Sequence, residues 1–489
     1  MSQKFSLIVA RNSAIGVLAQ LSIKALSFAF SVLIVRRLGA DAFGQYAAVL
    51  AFGTVFAIFS DLGLAPYAVR QIARWRNLSD SAEQTGRLYG NVLALRLLLA
   101  VVTSAALIIA AWLTQRPALM VGAIAINCIT LLLYGVQGSS ESVLAGFERL
   151  DLTAGVKVLN QLIFVVIGTL ALVTGLGYYG LILANVIGVS LMAWVSWHAV
   201  RRLGVRPQRI VTADWAKLLR ASLPFGVIGL ALGLSYRFDS VLLNIFRNDA
   251  ETGYYNAAYN LVFSAVLVSN VFNTALYPSV ARQATVAPNA LPKIYGRAFR
   301  YLLAMALPIA VGGWALADQI IPFLFDAAYR PAVPAFQIVI WVTPLMFVSE
   351  LLGYIVVIDD KENRVARAIL VSTGFNVVMN LLLVPVLGFI AAATMTVVTE
   401  AVLVAQYLWI QRAMLRQLDW GRILVRPLIA ALSMGAAVLA LRPYLAFPLN
   451  AAAGAAIYTV LLIALGVLGR DEVRFVRGVR APAESTTAQ

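Results

Sequence analysis

The residues that build most reactive and metal-holding centres are nearly missing from this chain. Its 489 residues include one cysteine, Cys128, and one histidine, His198. A lone cysteine excludes any intrachain disulfide, and one His with one Cys cannot supply the usual zinc ligand sets. Both read as packing or interfacial side chains. The chain also holds no GxxxxGK[ST] loop, no HExxH and no CxxC, so it has no phosphate-cradling P-loop, no zincin helix and no redox pair. No bound cofactor or metal is expected, and the chain is not expected to be an enzyme. Charge is scarce as well: Asp, Glu, Lys and Arg make up 12% of the residues, against 61% hydrophobic. Soluble proteins carry roughly a quarter charged residues, so a mean hydropathy of +0.85 marks a chain with many membrane spans.

What charge there is follows a pattern. Apolar segments long enough to cross a bilayer as helices, about 20 residues each, fall at about 12–35, 42–69, 88–114, 118–145, 152–174 and 178–200. Eight more follow at about 222–246, 254–281, 294–317, 332–358, 364–386, 388–411, 424–441 and 450–469. The fold class is therefore an all-α integral membrane protein of about fourteen helices. With the N-terminus inside, 29 of the 38 Lys and Arg residues lie in inner segments against 6 in outer loops. That asymmetry explains the net charge of +16 without nucleic acid, and it places both termini in the cytoplasm. The first apolar segment reads as a retained helix rather than a removed signal peptide.

The chain repeats itself. RRLGADAFGQYAAVL (36–50) matches FRNDAETGYYNAAYNL (246–261), aligning Gly44, Tyr46 and Ala48 with Gly253, Tyr255 and Ala257 at an offset of 209. LGYYGL (176–181) matches LGFIAA (387–392) at an offset of 211. Two distant matches with nearly one offset point to two six-helix lobes in the same orientation, with a substrate cavity between them. The expected organisation is an N-lobe at 1–203, a cytoplasmic amphipathic linker at 204–221 and a C-lobe at 222–415. Helices 13 and 14 follow at 416–470, then a polar tail at 471–489.

Charges inside the spans are the candidate site. One such charge in hydrocarbon costs from about 2.5 to over 10 kcal/mol, so each faces protein or a wet cavity. Lys24 and Arg237 lie mid-span, and the repeat offset carries Lys24 to within a turn of Arg237. The pair suits an anionic group, lysine as a point charge and arginine as a planar fork; structural ion pairing is the alternative. Arg96, nearer the inner face, is either a third cation or a side chain reaching for the interface. Asp61 and Asp239 read as counter-charges for these cations, or as sites for a coupling proton or sodium ion. Glu350, Glu400, Asn376 and Asn380 read mainly as contacts between helices. Tyr255, Asn256, Tyr259 and Asn260 give one stretch an aromatic and amide character that suits sugar, though interfacial tyrosine belts share it.

Several stretches, taken in order, resemble a known family. These are RRLGADAFGQYAAVLAF, DLGLAPYAVRQIAR, LAGFERLD, FDSVLLNIFRNDAETGYYNAAYN, YPSVAR and NLLLVPVLGFIAAATMTVVTEA. The resemblance, over about residues 5–415, is to the polysaccharide and oligosaccharide-lipid flippases, O-antigen flippases among them. They belong to the multidrug/oligosaccharidyl-lipid/polysaccharide exporter superfamily. It implies two six-helix lobes around a cavity with alternating access. It also implies a cargo of undecaprenyl-pyrophosphate-linked oligosaccharide, moved across the bacterial cytoplasmic membrane. Polysaccharide polymerase and other envelope assembly proteins are the implied partners, along with the bilayer. In related lipid II flippases extra C-terminal helices help form a lipid groove, to which 426–469 would correspond. Two other functions compete. A cation-coupled drug exporter would favour unpaired acids in its cavity, and a glycan polymerase or ligase would need a large outer loop.

The charge bias generates a test. Reporter fusions after Arg201, Pro288 and Arg416 are expected to report cytoplasm, and one at Thr252 periplasm. A periplasmic signal from the Arg201–Arg220 connection would overturn the two-lobe reading.

Overall fold

In the computed structural model, residues 3–75, 81–286, 291–359 and 361–467 are described, with side chains left out at 3–24 and at scattered later positions. Seventeen α-helices follow one another with no strand among the described residues. They are α1 Gln3–Asp61, α2 Leu64–Trp75, α3 Ser81–Leu113, α4 Ala118–Gly146, α5 Leu150–Val173 and α6 Gly177–Arg202. Next come α7 Trp215–Phe246, α8 Asp249–Val286, α9 Leu291–Ala315, α10 Ala317–Phe325, α11 Val333–Val339 and α12 Val342–Ile358. The last are α13 Glu362–Leu387, α14 Phe389–Ile410, α15 Arg412–Leu415, α16 Arg426–Leu441 and α17 Phe447–Ala464.

Among the described residues ten helices are long and apolar enough to span a membrane, or twelve when each of two bent pairs is one span. The protein is thus a multi-pass membrane protein, and ten to twelve of the fourteen expected spans are counted among the described residues. The first two expected segments run together in α1, where they meet at a kink at Gly39, with φ 75° and ψ 174°. That left-handed φ comes at little steric cost only without a Cβ.

Contacts divide the chain into two units: 1–261 with 369–395, and 262–368 with 396–489. In the first, the expected second span ends early. Leu62 and Gly63 take φ of 44° and 80°, and the chain restarts as the separate helix α2. α2 is amphipathic. Leu64, Ala68 and Ile72, four residues apart, are buried against Leu88, Val92 and Leu95 of α3 and Leu144 of α4, while Arg70 and Arg74 lie outside that stripe. Such a helix lies along an interface rather than across the bilayer.

The Arg201–Arg220 connection, expected as one amphipathic helix, is helical at its two ends and not between them. Residues 205–211 are irregular, and helix resumes with a 3₁₀ turn at Thr212–Asp214 before α7. Asn91 of α3 explains this: its Oδ1 accepts from Val211 N at 2.8 Å and from Trp215 Nε1 at 3.1 Å. The connection's own backbone donates from Gln208 N to Gly86 O at 3.0 Å. The segment finds hydrogen-bond partners on α3, so it needs no helix to satisfy them.

The second unit packs α9 against α12, α16 and α17. Tyr458 of α17 donates to Ala304 O at 2.8 Å, Asn450 donates to Val438 O at 3.1 Å, and Arg442 pairs with Asp318. Here Ser269 and Ser349 donate to Glu350 and Glu400, so each carboxylate has a hydroxyl partner.

The repeat signature has a structural counterpart inside the first unit. Gly44 and Gly253, equivalent by the repeat, pack against each other's segments. A Cβ on Gly253 would lie 2.1 Å from Ala40 O, and one on Gly44 would lie 1.7 Å from Asp249 O. Asp249 ties the same corner, accepting from Gln45 at 2.9 Å and Asn244 at 2.7 Å. Gly253→Val is therefore expected to destabilise the fold by about 1–3 kcal/mol through overpacking, read as a lower midpoint in detergent thermal unfolding. An unchanged midpoint would show that the two segments separate freely.

Candidate functional site

The described part of the first unit contains a cavity of about 370 Å³. Its lining comes from the end of α1, the start of α2, and α3, α4 and α7, with Asp61, Arg96, Tyr134, Gln137, Phe225 and Gly229 among the contributors. A few hundred Å³ is the size of a small-molecule pocket.

Two of the expected residues meet here, although the sequence places them 35 positions apart. Asp61 Oδ1 lies 3.0 Å from Arg96 Nε. The Arg96 side chain is 8% exposed and that of Asp61 26%. The helix break positions Asp61: it ends α1, and its Oδ1 also accepts from Ala65 N at 3.2 Å, capping the restart as α2. Arg96 is placed by α4. Gly138 has no side chain, and a Cβ there would lie 2.5 Å from Nη1. The guanidinium therefore lies flat against α4, with Nη1 buried and without an acceptor. Arg70 adds a second cation nearby, its guanidinium 5.1 Å from the Phe225 ring centroid.

The remaining expected residues lie elsewhere. Lys24 falls outside the residues whose side chains are described. Arg237 lies 5.8 Å from the centroid of Tyr259, while Asp239 accepts from Ser240 N at 2.7 Å and from the Tyr255 hydroxyl. The two charges of α7 thus turn to different partners, as their two-residue spacing requires. Asp239, Tyr255 and Asn256 are buried within protein, where Asn256 Oδ1 accepts from Ser240 at 3.2 Å and its Nδ2 donates to Thr252 O at 2.9 Å. None of Tyr255, Asn256, Tyr259 and Asn260 lines the 370 Å³ cavity; only Asn260 is not fully buried. Asn380 donates to Asn376 O at 3.0 Å within α13, and both are buried. Arg96, expected as a third cation or a side chain reaching for the interface, has Asp61 as a counter-charge. Gln137 and Tyr134 were not singled out from the sequence. Their signal, a polar and an aromatic residue one turn apart in an apolar helix, is too common to stand out.

Among the described residues, no cluster of three or more His, Cys, Asp or Glu side chains could hold a metal ion. The chemistry available is the recognition of charge: a buried planar cation, a partly exposed carboxylate and an amide around one small space.

Comparison with known proteins agrees with this architecture. The structure is similar to that of the lipid II flippase MurJ in an inward closed conformation, with a TM-score of 0.77 at 13% identity, covering 94% of this chain and 100% of that one. It is also similar to an inward-facing multidrug resistance MATE family transporter, with a TM-score of 0.65 at 14% identity, covering 82% and 98%. Identities this low speak for the fold alone. In sequence, the chain is 21% identical over 264 residues to a probable low-salt glycan biosynthesis flippase, Agl15, of Haloferax volcanii. That match takes in 53% of this chain and spans only about half, 55%, of the curated relative. The model of the polysaccharide biosynthesis protein family matches residues 9–283, more than half of the chain, and the chain belongs to that family.

Proposed function

We propose that this protein is a flippase, a transporter rather than an enzyme. It moves an undecaprenyl-pyrophosphate-linked oligosaccharide from the inner to the outer leaflet of the bacterial cytoplasmic membrane, with both termini in the cytoplasm. Two six-helix lobes, 1–203 and 222–415, alternate access to a central cavity, and 416–470 adds two helices beside them. The observation that carries this reading is Arg96: in a member of a polysaccharide biosynthesis family, a buried guanidinium lines a cavity among apolar helices. Arginine supplies a fork of donors matched to phosphate. Lys24 and Arg237 complete the cationic set, the glycan occupies the aqueous lumen, and the prenyl chain trails into lipid. Released outside, the cargo passes to a polysaccharide polymerase and other envelope assembly proteins.

A cation-coupled drug exporter is the second reading, favoured by the Asp61 carboxylate in the same cavity and by the MATE-like fold. The ion pair with Arg96 weighs against it, because a cationic drug would find that carboxylate already neutralised.

Loss of the protein from its native host is expected to leave lipid-linked oligosaccharide accumulating on the inner leaflet, with drug susceptibility unchanged. Lys24→Ala and Arg237→Ala should each cut glycan export at least about ten-fold at normal protein level, the loss of about 1.4 kcal/mol or more in substrate stabilisation. Lys24→Arg should retain much of the activity, while Arg237→Lys should lose more because the fork is gone. Unaltered glycan export in the deletion strain, together with new drug sensitivity, would overturn the flippase reading in favour of the exporter.

A further inference from the structure

The Asp61–Arg96 pair is incomplete in a specific way. A guanidinium has five N–H donors. Asp61 Oδ1 makes an ion contact with Nε at 3.0 Å, yet Nε and Nη1 are both buried with no hydrogen-bond acceptor. Arginine–carboxylate pairs are frequently bidentate, the fork meeting both oxygens. Here the carboxylate is held back. Its Oδ1 is shared with Ala65 N at 3.2 Å, and its backbone is fixed by the break between α1 and α2 at Leu62 and Gly63. The Arg96 guanidinium packs against Gly138, where a Cβ would lie 2.5 Å from Nη1. The cation is thus neutralised, but its donors are not used up, and it lines a cavity of about 370 Å³.

We propose that Asp61 is an internal placeholder for the anionic headgroup of the cargo. In the empty cavity it keeps Arg96 from being an unpaired charge among apolar helices, which would be costly. When a pyrophosphate headgroup enters, its oxygens take the guanidinium donors and displace the carboxylate, which turns to the open side of the cavity, where it is already a quarter exposed. The exchange of one anion for another keeps Arg96 neutralised throughout. It also weakens the bound state by the strength of the pair that was broken, which lets a doubly charged headgroup leave again. The size of the space suits a headgroup rather than a glycan with its lipid. This inference rests on the flippase reading and assigns one subsite within it.

The test uses the purified full-length chain in detergent, with inorganic pyrophosphate as the probe in titration calorimetry. Asp61→Asn keeps the acceptor for Ala65 N and removes the competing charge, so it should bind pyrophosphate at least about ten-fold tighter than wild type. Arg96→Gln should abolish binding. Gly138→Ala should also weaken it severely, because a Cβ displaces the guanidinium while every charge is retained. Farnesyl pyrophosphate should displace pyrophosphate at lower concentration than phosphate or pyrophosphate itself, which distinguishes a lipid headgroup from a free anion. If Asp61→Asn elutes as aggregate, Asp61→Ser retains a hydroxyl acceptor for the same comparison. Equal or weaker binding by the Asp61 variants, wild-type binding by Arg96→Gln, or equal displacement by the free anions would overturn the proposal. Loss of binding confined to Lys24→Ala and Arg237→Ala would refute the placeholder while leaving the flippase reading intact. Unchanged glycan export in the deletion strain would remove that reading itself.

Discussion

A guanidinium surrounded by apolar helices has to be answered by an anion, and in the first unit that demand organises the space around Arg96. Its answer is Asp61, which cannot reach Arg96 from the middle of a regular helix and also cap a new one. The chain leaves helical geometry at Leu62 and Gly63, both with positive φ, and Asp61 Oδ1 then serves the Arg96 guanidinium and the first turn of α2 together. On the other side of the cation, α4 comes close enough only because position 138 has no side chain. Break, cap and glycine are one arrangement seen from three helices.

The same constraint governs the other buried polar groups. Asp239 receives Ser240 N and the Tyr255 hydroxyl, and Glu350 and Glu400 each receive a serine hydroxyl. Serines and threonines turn back on their own helices, as Ser139 does to Gly135 O at 2.7 Å and Ser142 to Gly138 O at 2.8 Å. Where no water competes, a donor left without an acceptor carries its full desolvation cost of about 1–3 kcal/mol. Arg96 Nη1 and Nε are buried at the cavity without such an acceptor.

Helix content and membrane character were legible because composition and hydropathy act over twenty residues at a time. Gly44 and Gly253, which align at one offset in the sequence, meet in space at a tight corner. The pairing of Asp61 with Arg96 was not legible. Periodicity says which face a residue takes on its own helix, but it is silent on which helix that face meets. Asp61 and Arg96 therefore looked like independent charges awaiting partners. Nor could it show that a single span would break at Gly63, since a glycine inside an apolar run is common in membrane helices. The linker failed for a different reason. Interleaved apolar and basic residues at 201–220 do suit an amphipathic helix, but Asn91 and Gly86 of α3 offer its backbone better-placed partners.

Charge balance at the site bears on energy as well as binding. The Asp61–Arg96 pair by itself carries no net charge when the cavity is empty. On the proposed flippase reading, a loaded step would carry an anionic cargo outward from a negative interior. That transfer is favoured by about 2.3 kcal/mol per charge per 100 mV. On that reading the membrane potential would act on the loaded step. Such a step requires no nucleotide, in keeping with a chain that has no P-loop of its own.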